Sequence, residues 1–291
     1  MEIIIILGRV LFASFANVFQ KQLAHQGHHP LFIVMASYAI LSLISLPLLF
    51  WAPINSLGQH FWINIVLAAL LDMAGTLFLV LSLSKTDLSI FGPLNAYKVV
   101  ISMLLAMLFL NEIPNYQGFL GITIIIIGSC FLLPRSSKQT NQHRLRQLLI
   151  DKGVQYRFLS ILLFSIGTIP LKSAVIEGQA LATTVFWCLI GFPLAVVSYR
   201  LFNKNPAQPL FKQARSVLPQ LTTLAILIFL MQYTTMLVLS ELFIAYSLAL
   251  FQLSMVLHVF LGYQVFKEQH FKRRLGACLI MIMGSLLVLK A

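Results

Sequence analysis

Apolar residues run along this chain in stretches of roughly 20, the length that carries a helix across a hydrocarbon core. Short clusters of charge, Pro, Asn and Gly separate the stretches. Cutting the sequence at those clusters predicts ten helical spans: 3–20, 31–51, 61–84, 89–110, 116–133, 158–172, 181–201, 217–239, 243–266 and 271–289. Nothing of domain size remains between them, so the predicted fold class is all-α integral membrane.

The pattern occurs twice. Residues 79–133, shifted forward by about 156 positions, fall without a gap on residues 235–289. Leu81, Leu83 and Ser84 meet Leu237, Leu239 and Ser240; Glu112, Gly128 and Ser129 meet Glu268, Gly284 and Ser285. Lys21 and Lys172 end the first and sixth spans, and Pro47 and Pro193 sit alike in the second and seventh. The expected organisation is a five-helix repeat over 1–133, a basic linker over 134–155 and a second five-helix repeat over 156–291. Because five crossings are odd, the second repeat must enter from the opposite side, which makes the pair an inverted repeat. Inverted halves can rock about a shared midplane site, an arrangement that suits transport.

Composition agrees: 10% of the 291 residues are charged and 59% are hydrophobic, where a soluble domain carries about 25% charged residues. The net charge of +12 resides mainly in connections, as topology signals do, so no nucleic-acid partner is expected. The linker carries Arg135, Lys138, Arg144, Arg146 and Lys152, and the stretch 143–151 reads either as a solvated linker or as a basic amphipathic helix on lipid. Counting Lys and Arg by side places the charged connections in the cytoplasm and both termini outside. Cys130, Cys188 and Cys278 lie inside apolar spans without metal-ligand spacing, and read as packing residues. His25, His28 and His29 cluster before Pro30 with no carboxylate or cysteine nearby, which favours a solvated turn over a metal site. Met1-Glu2-Ile3 has no basic signal region, so the first apolar run is kept as a helix.

Ions inside a span cost roughly 2.5–3.5 kcal/mol on insertion scales and are paired, functional or near an interface. Arg9 either snorkels or has a function. Asp72 in the third span and Lys98 in the fourth differ in depth by about 4.5 Å along antiparallel helices, within reach of an ion pair. Asp72 and Thr76 share a helix face, and in the eighth span Gln232 and Thr235 occupy the places of Thr76 and Leu79. Asn95, Lys98 and Ser102 superpose on Phe251, Ser254 and His258, a stripe at i, i+3, i+7 in both copies. Such stripes face inward, and Tyr97, Tyr233, Phe251 and Gln252 on or beside them suit stacked rings or an amine, although single aromatics are more often packing. His258 reads either as a proton relay or as a hydrogen-bonded core histidine. The candidate substrate-binding set is thus Asp72, Thr76, Asn95, Lys98, Ser102, Gln232, Tyr233, Phe251, Gln252, Ser254 and His258.

Thr86-Asp87-Leu88-Ser89 after the third span, Pro93, Leu110-Asn111-Glu112, and Gly118, Gly121 and Gly128 resemble the signature of the drug/metabolite transporter superfamily, in its ten-helix form with two EamA-like repeats. Phe266-Lys267-Glu268, Gly276 and Gly284 resemble it in the second copy. The resemblance implies a carrier of small metabolites, with a central cavity lined by spans 1, 3, 4, 6, 8 and 9. Members that move phosphorylated substrates tend to have a basic residue on the ninth span, where this chain has Ser254 and His258, which argues against a nucleotide-sugar or phosphate exchanger. The family usually keeps both termini in the cytoplasm, opposite to the charge count.

The expected function is a secondary transporter of a small polar metabolite, an amino acid, amine or similar, in a bacterial inner membrane, by alternating access. The alternatives are proton-coupled drug efflux on Asp72, and a lipid translocase or non-transporting membrane partner. No HExxH, paired catalytic carboxylates or nucleophile elbow marks an enzyme, and no cofactor or metal is expected. Expected partners are a small-molecule substrate, the lipid bilayer and a proton or counter-substrate, with the chain as monomer or homodimer.

Overall fold

A computed structural model of the chain describes residues 2–54, 57–110, 115–132, 149–203, 210–241, 247 and 251–289. Its elements are helices: α1 (Glu2–His25), α2 (Pro30–Ser45), α3 (Gln59–Leu83), α4 (Leu88–Phe91), α5 (Tyr97–Leu110), α6 (Tyr116–Ser129), α7 (Lys152–Phe202), α8 (Leu210–Ser216), α9 (Leu218–Glu241), α10 (Ser254–Phe266) and α11 (Phe271–Leu289). No strand occurs among the described residues. Glu112, Lys290 and residues 134–148 of the predicted linker lie outside the described residues. So does most of the stretch read as a basic amphipathic helix.

Among the described residues, α1, α3, α7 and α9 are long and apolar enough to cross a membrane. At 51 residues, α7 would be about 76 Å long if straight, more than twice a bilayer core. It is not straight. Thr183 Oγ1 donates to the carbonyl of Ala174 at 3.3 Å, a separation of nine residues that a continuous helix spreads over about 13 Å. The reversal is at Gln179, whose φ of 59° and ψ of 171° are not helical. Residues 166–178 and 180–202 therefore run antiparallel within one stretch of the chain, where the predicted sixth span ends and the seventh begins. The sixth does not end at Lys172: one lysine in an apolar helix is tolerated where its ammonium finds an acceptor, here the carbonyl of Leu239.

The fourth predicted span is broken. Pro93 lacks an N–H and cannot continue a helix from α4, so the chain passes through a 3-10 turn at Pro93–Ala96 before α5 begins. Gly92, at the break, packs against His258 so closely that any Cβ would collide with it. In the second copy a turn at Gln252 and Leu253 precedes α10, one or two residues from the equivalent place.

The chain divides into two compact units. The first comprises Met1–Val80 and Ile166–Leu242; the second comprises Leu81–Ser165 and Phe243–Ala291. Each draws on both halves of the sequence. In the first unit α1 packs along α9, and α3 packs antiparallel along residues 167–178, with Phe61 against Gly178 and Asp72 against Gly167. There α2 packs on residues 180–202, where the tilted rings of Tyr38 and Trp187 meet at 5.2 Å and Ser42 donates to the Cys188 carbonyl at 3.1 Å. On α3, Ile63, Val66, Leu67 and Leu70 form an exposed apolar stripe, whereas Phe61, Ile65, Ala68, Ala69 and Asp72 are buried on the opposite side.

In the second unit α6 packs on α11 and α4 on α10. The α6–α11 pair is held close by glycines: a Cβ on Gly121 would lie 2.6 Å from the Gly284 carbonyl, and one on Gly284 would lie 2.7 Å from the Gly121 carbonyl. Small residues let membrane helices gain dispersion contacts that lipid cannot give. Leu94, Val99, Ile125, Val154, Met255, Val259, Cys278 and Met281 form the buried core between these helices.

Candidate functional site

Of the predicted site residues, the first unit holds Asp72, Thr76, Gln232 and Tyr233. The Asp72 side chain is buried, and Oδ2 accepts a hydrogen bond from Trp187 Nε1 at 3.0 Å. Trp187 packs against the tilted ring of Tyr38, and Tyr38 lies against Gly191, where any larger residue would displace the ring. The indole thus supplies a fixed donor to a carboxylate inside an apolar unit, where a lost donor costs far more than at a surface. Thr76 turns its hydroxyl back on the Asp72 carbonyl at 2.7 Å. On α9, Gln232 is buried, with no partner for Nε2 among the described residues, and Tyr233 is half-buried. One turn on, Thr235 accepts from Arg9 Nε at 3.3 Å, which anchors the half-buried Arg9 to a neighbouring helix.

The second unit holds the other predicted site residues. Asn95 Oδ1 accepts from Arg157 Nη2 at 3.0 Å. Lys98 is half-buried on α5, while the Ser102 side chain lies outside the described residues. Phe251 is buried, Ser254 donates to the Phe251 carbonyl at 2.7 Å, and Gln252 is buried with neither side-chain polar atom bonded among the described residues. His258 is buried edge-on to Phe91, with ring centroids 5.9 Å apart. The Tyr97 hydroxyl donates to Ser129 at 2.9 Å, and its ring meets Phe158 at 4.8 Å, which makes it a packing residue.

Two residues absent from the sequence-derived set stand out. Trp187 escaped because opposite charge draws the eye to Lys98, whereas an indole N–H satisfies a carboxylate without any charge. Arg157 escaped because it sits at the edge of an apolar run, where a basic residue reads as a topology signal. Its helix begins early: Asp151 Oδ1 caps α7 by accepting from Val154 N at 2.9 Å, Val154 enters the core, and Arg157 follows one turn later, only 5% exposed. An arginine near the start of a span, as Arg9 is in the first, was the available signal.

A separate polar cluster ties the second unit together. Glu268 Oε1 and Oε2 accept from Leu88 N at 2.7 Å and Ser89 N at 2.9 Å, capping α4, and Oε2 also accepts from the Ser89 hydroxyl. Arg274 reaches Glu268 at 3.4 Å and Asp87 at 2.6 Å. At the turn after α1, His29 Nδ1 caps α2 by accepting from Leu31 N at 3.3 Å, while His28 pairs with Gln213 at 3.0 Å. Partial burial holds both imidazoles below the usual range.

Ionisable side chains inside apolar helices are costly and are kept where they are paired or functional. Residues 1–133 match the EamA-like transporter family. The match is consistent with the drug/metabolite transporter superfamily and indicates a multi-pass membrane transporter. No curated protein matches the chain. Among solved structures, one named only "Crystal structure of protein" superposes with a TM-score of 0.64 over 98% of this chain and 94% of its own, at 11% identity. At that identity the likeness concerns the fold alone.

Proposed function

We propose that the protein is a secondary transporter that moves a small polar metabolite, an amino acid, amine or similar, by alternating access through a central cavity between two inverted five-helix repeats in a bacterial inner membrane. The observation that carries the reading is the reciprocity of the helix pairs. Span 1 packs on span 8 and span 3 on span 6; exchange of the two halves turns one pairing into the other. The pairs 2 with 7, 4 with 9 and 5 with 10 map onto themselves under the same exchange. A pseudo-two-fold relation between the repeats demands that pattern. Asp72 and Lys98 hold the charged ends of the substrate in this reading. Thr76, Asn95, Ser102, Gln232, Tyr233, Phe251, Gln252, Ser254 and His258 complete the lining, and a proton or counter-substrate drives turnover.

The test is flux in proteoliposomes loaded with amino acids and amines. Substrate-dependent flux should appear and should fall to background in Asp72→Asn and Lys98→Met. Unchanged flux in both variants removes these residues from the site. A pH-gradient dependence confined to protein with Asp72 intact would replace exchange by proton-coupled efflux.

A further inference from the structure

Two arginines in the second unit are almost fully buried, Arg157 at 5% exposure and Arg274 at 4%. Arg274 is balanced: it meets Glu268 and Asp87. Arg157 meets no carboxylate among the described residues. One of its N–H groups is given to Asn95 Oδ1 at 3.0 Å, and its guanidinium carbon lies 3.9 Å from the centroid of the Phe91 ring. Nε is buried with no hydrogen-bond partner among the described residues. A buried cation is costly unless it is paired and its donors are used. Arg274, in the same unit, shows how a buried arginine is balanced there by carboxylates, a balance that Arg157 lacks among the described residues.

The geometry points to a binding site at Arg157 for the carboxylate of the transported metabolite. A guanidinium carries five N–H donors in a planar fork that matches a carboxylate edge. Phe91 lies against the fork by cation–π attraction, and Asn95 takes one donor, which fixes the orientation of the others. Phe91 is itself fully buried with His258 on its edge, so the platform cannot swing away. One cation with one amide and one ring suits a monoanion; a phosphate dianion calls for more positive charge. The word "transported" rests on the proposed function, whereas the anion site does not.

The experiment uses the full chain in detergent. Its unfolding temperature is measured with the twenty amino acids and with monocarboxylates from acetate to 3-phenylpropanoate, each set against its amide, and with inorganic phosphate. At least one carboxylate should raise the unfolding temperature in a concentration-dependent way while its amide does not. Arg157→Gln should weaken that ligand at least about tenfold, and Arg157→Lys, which keeps the charge but loses the fork, should fall between. Without ligand, Arg157→Gln should unfold at or above the wild-type temperature, because it removes an unbalanced charge. Stabilisation by no carboxylate, by acid and amide alike, by phosphate alone, or undiminished in Arg157→Gln overturns the site, as does a strongly destabilised unliganded Arg157→Gln. Flux measured in parallel separates the two readings. Carboxylate binding through Arg157 without flux of any metabolite leaves the anion site standing and removes the transporter, whereas flux of an amino acid undiminished in Arg157→Gln leaves the transporter standing and removes the anion site.

Discussion

Replacing Glu268 with Gln tests what holds the second unit together. The substitution keeps the side chain's shape and removes its charge. Glu268 is buried and accepts from two backbone N–H groups at 2.7 and 2.9 Å, from the Ser89 hydroxyl and from Arg274 at 3.4 Å. A glutamine has one acceptor oxygen in place of two, so one backbone N–H of α4 faces an NH2 group. Losing a hydrogen bond to a charged group costs about 1.5–3 kcal/mol. Arg274, itself buried, keeps only the half-exposed Asp87 as a counter-charge. Breaking a buried pair by removing one partner costs about 3–5 kcal/mol, and since Asp87 retains part of the balance, the expected loss is about 3 kcal/mol. Asp87→Asn, which disturbs the pair at its wet end, should cost no more than about 1 kcal/mol. Denaturant or thermal unfolding in micelles measures both, and adding Arg274→Met to Glu268→Gln should recover part of the loss, because the stranded cation goes with it. A Glu268→Gln loss below about 0.5 kcal/mol, or one equal to that of Asp87→Asn, refutes the assignment of Glu268 as the balancing charge.

Gly284→Ala places a methyl 2.7 Å from the Gly121 carbonyl and should destabilise by about 1–3 kcal/mol in the same unfolding assay, while Gly276→Ala, with open space around it, should be neutral or slightly stabilising. Gln179→Gly should raise the unfolding temperature, because the backbone at φ 59° and ψ 171° costs a non-glycine residue about 1–3 kcal/mol; a lowered temperature would count against the reversal there. His29 caps α2 as a neutral acceptor, and burial lowers its pKa from the usual 6.5. The unfolded state therefore takes up its proton first, and the stabilisation is present above about 6.5 and lost as pH falls through the folded value. Unfolding temperatures from pH 8 to 5 should drop more in the wild type than in His29→Asn, a non-titrating cap, and parallel curves would contradict this.

Helix positions were legible in outline because a bilayer-length apolar run has few other uses: each predicted span carries α-helix among its described residues, although the second ends at Ser45 and the fourth and ninth are interrupted by turns. What the runs conceal is how they end. Lys172 looked like a terminus, and α7 runs six residues past it to Gly178, because a neighbouring carbonyl takes the ammonium. The candidate site was legible as residue types rather than as partners. Asp72 stood out as an intramembrane carboxylate, but its donor, Trp187, is 115 positions away. Glu268 could be matched to Glu112 by repeat alignment, yet its task, capping a helix 180 positions earlier, is carried by backbone N–H groups that no side-chain pattern reveals. Asn95 was singled out for its place in a polar stripe, and its partner Arg157 was not, since hydropathy treats a charge at the edge of a run as ordinary.

The reversal at Gln179 leaves two helices joined by one residue. That end of the hairpin has no loop to offer a protease, an antibody or a fused reporter, and an epitope inserted there would have to unwind the helix on either side. Sidedness is better mapped from the other connections. With no slack chain at the bend, a shift of residues 166–178 along their axis pulls directly on residues 180–202.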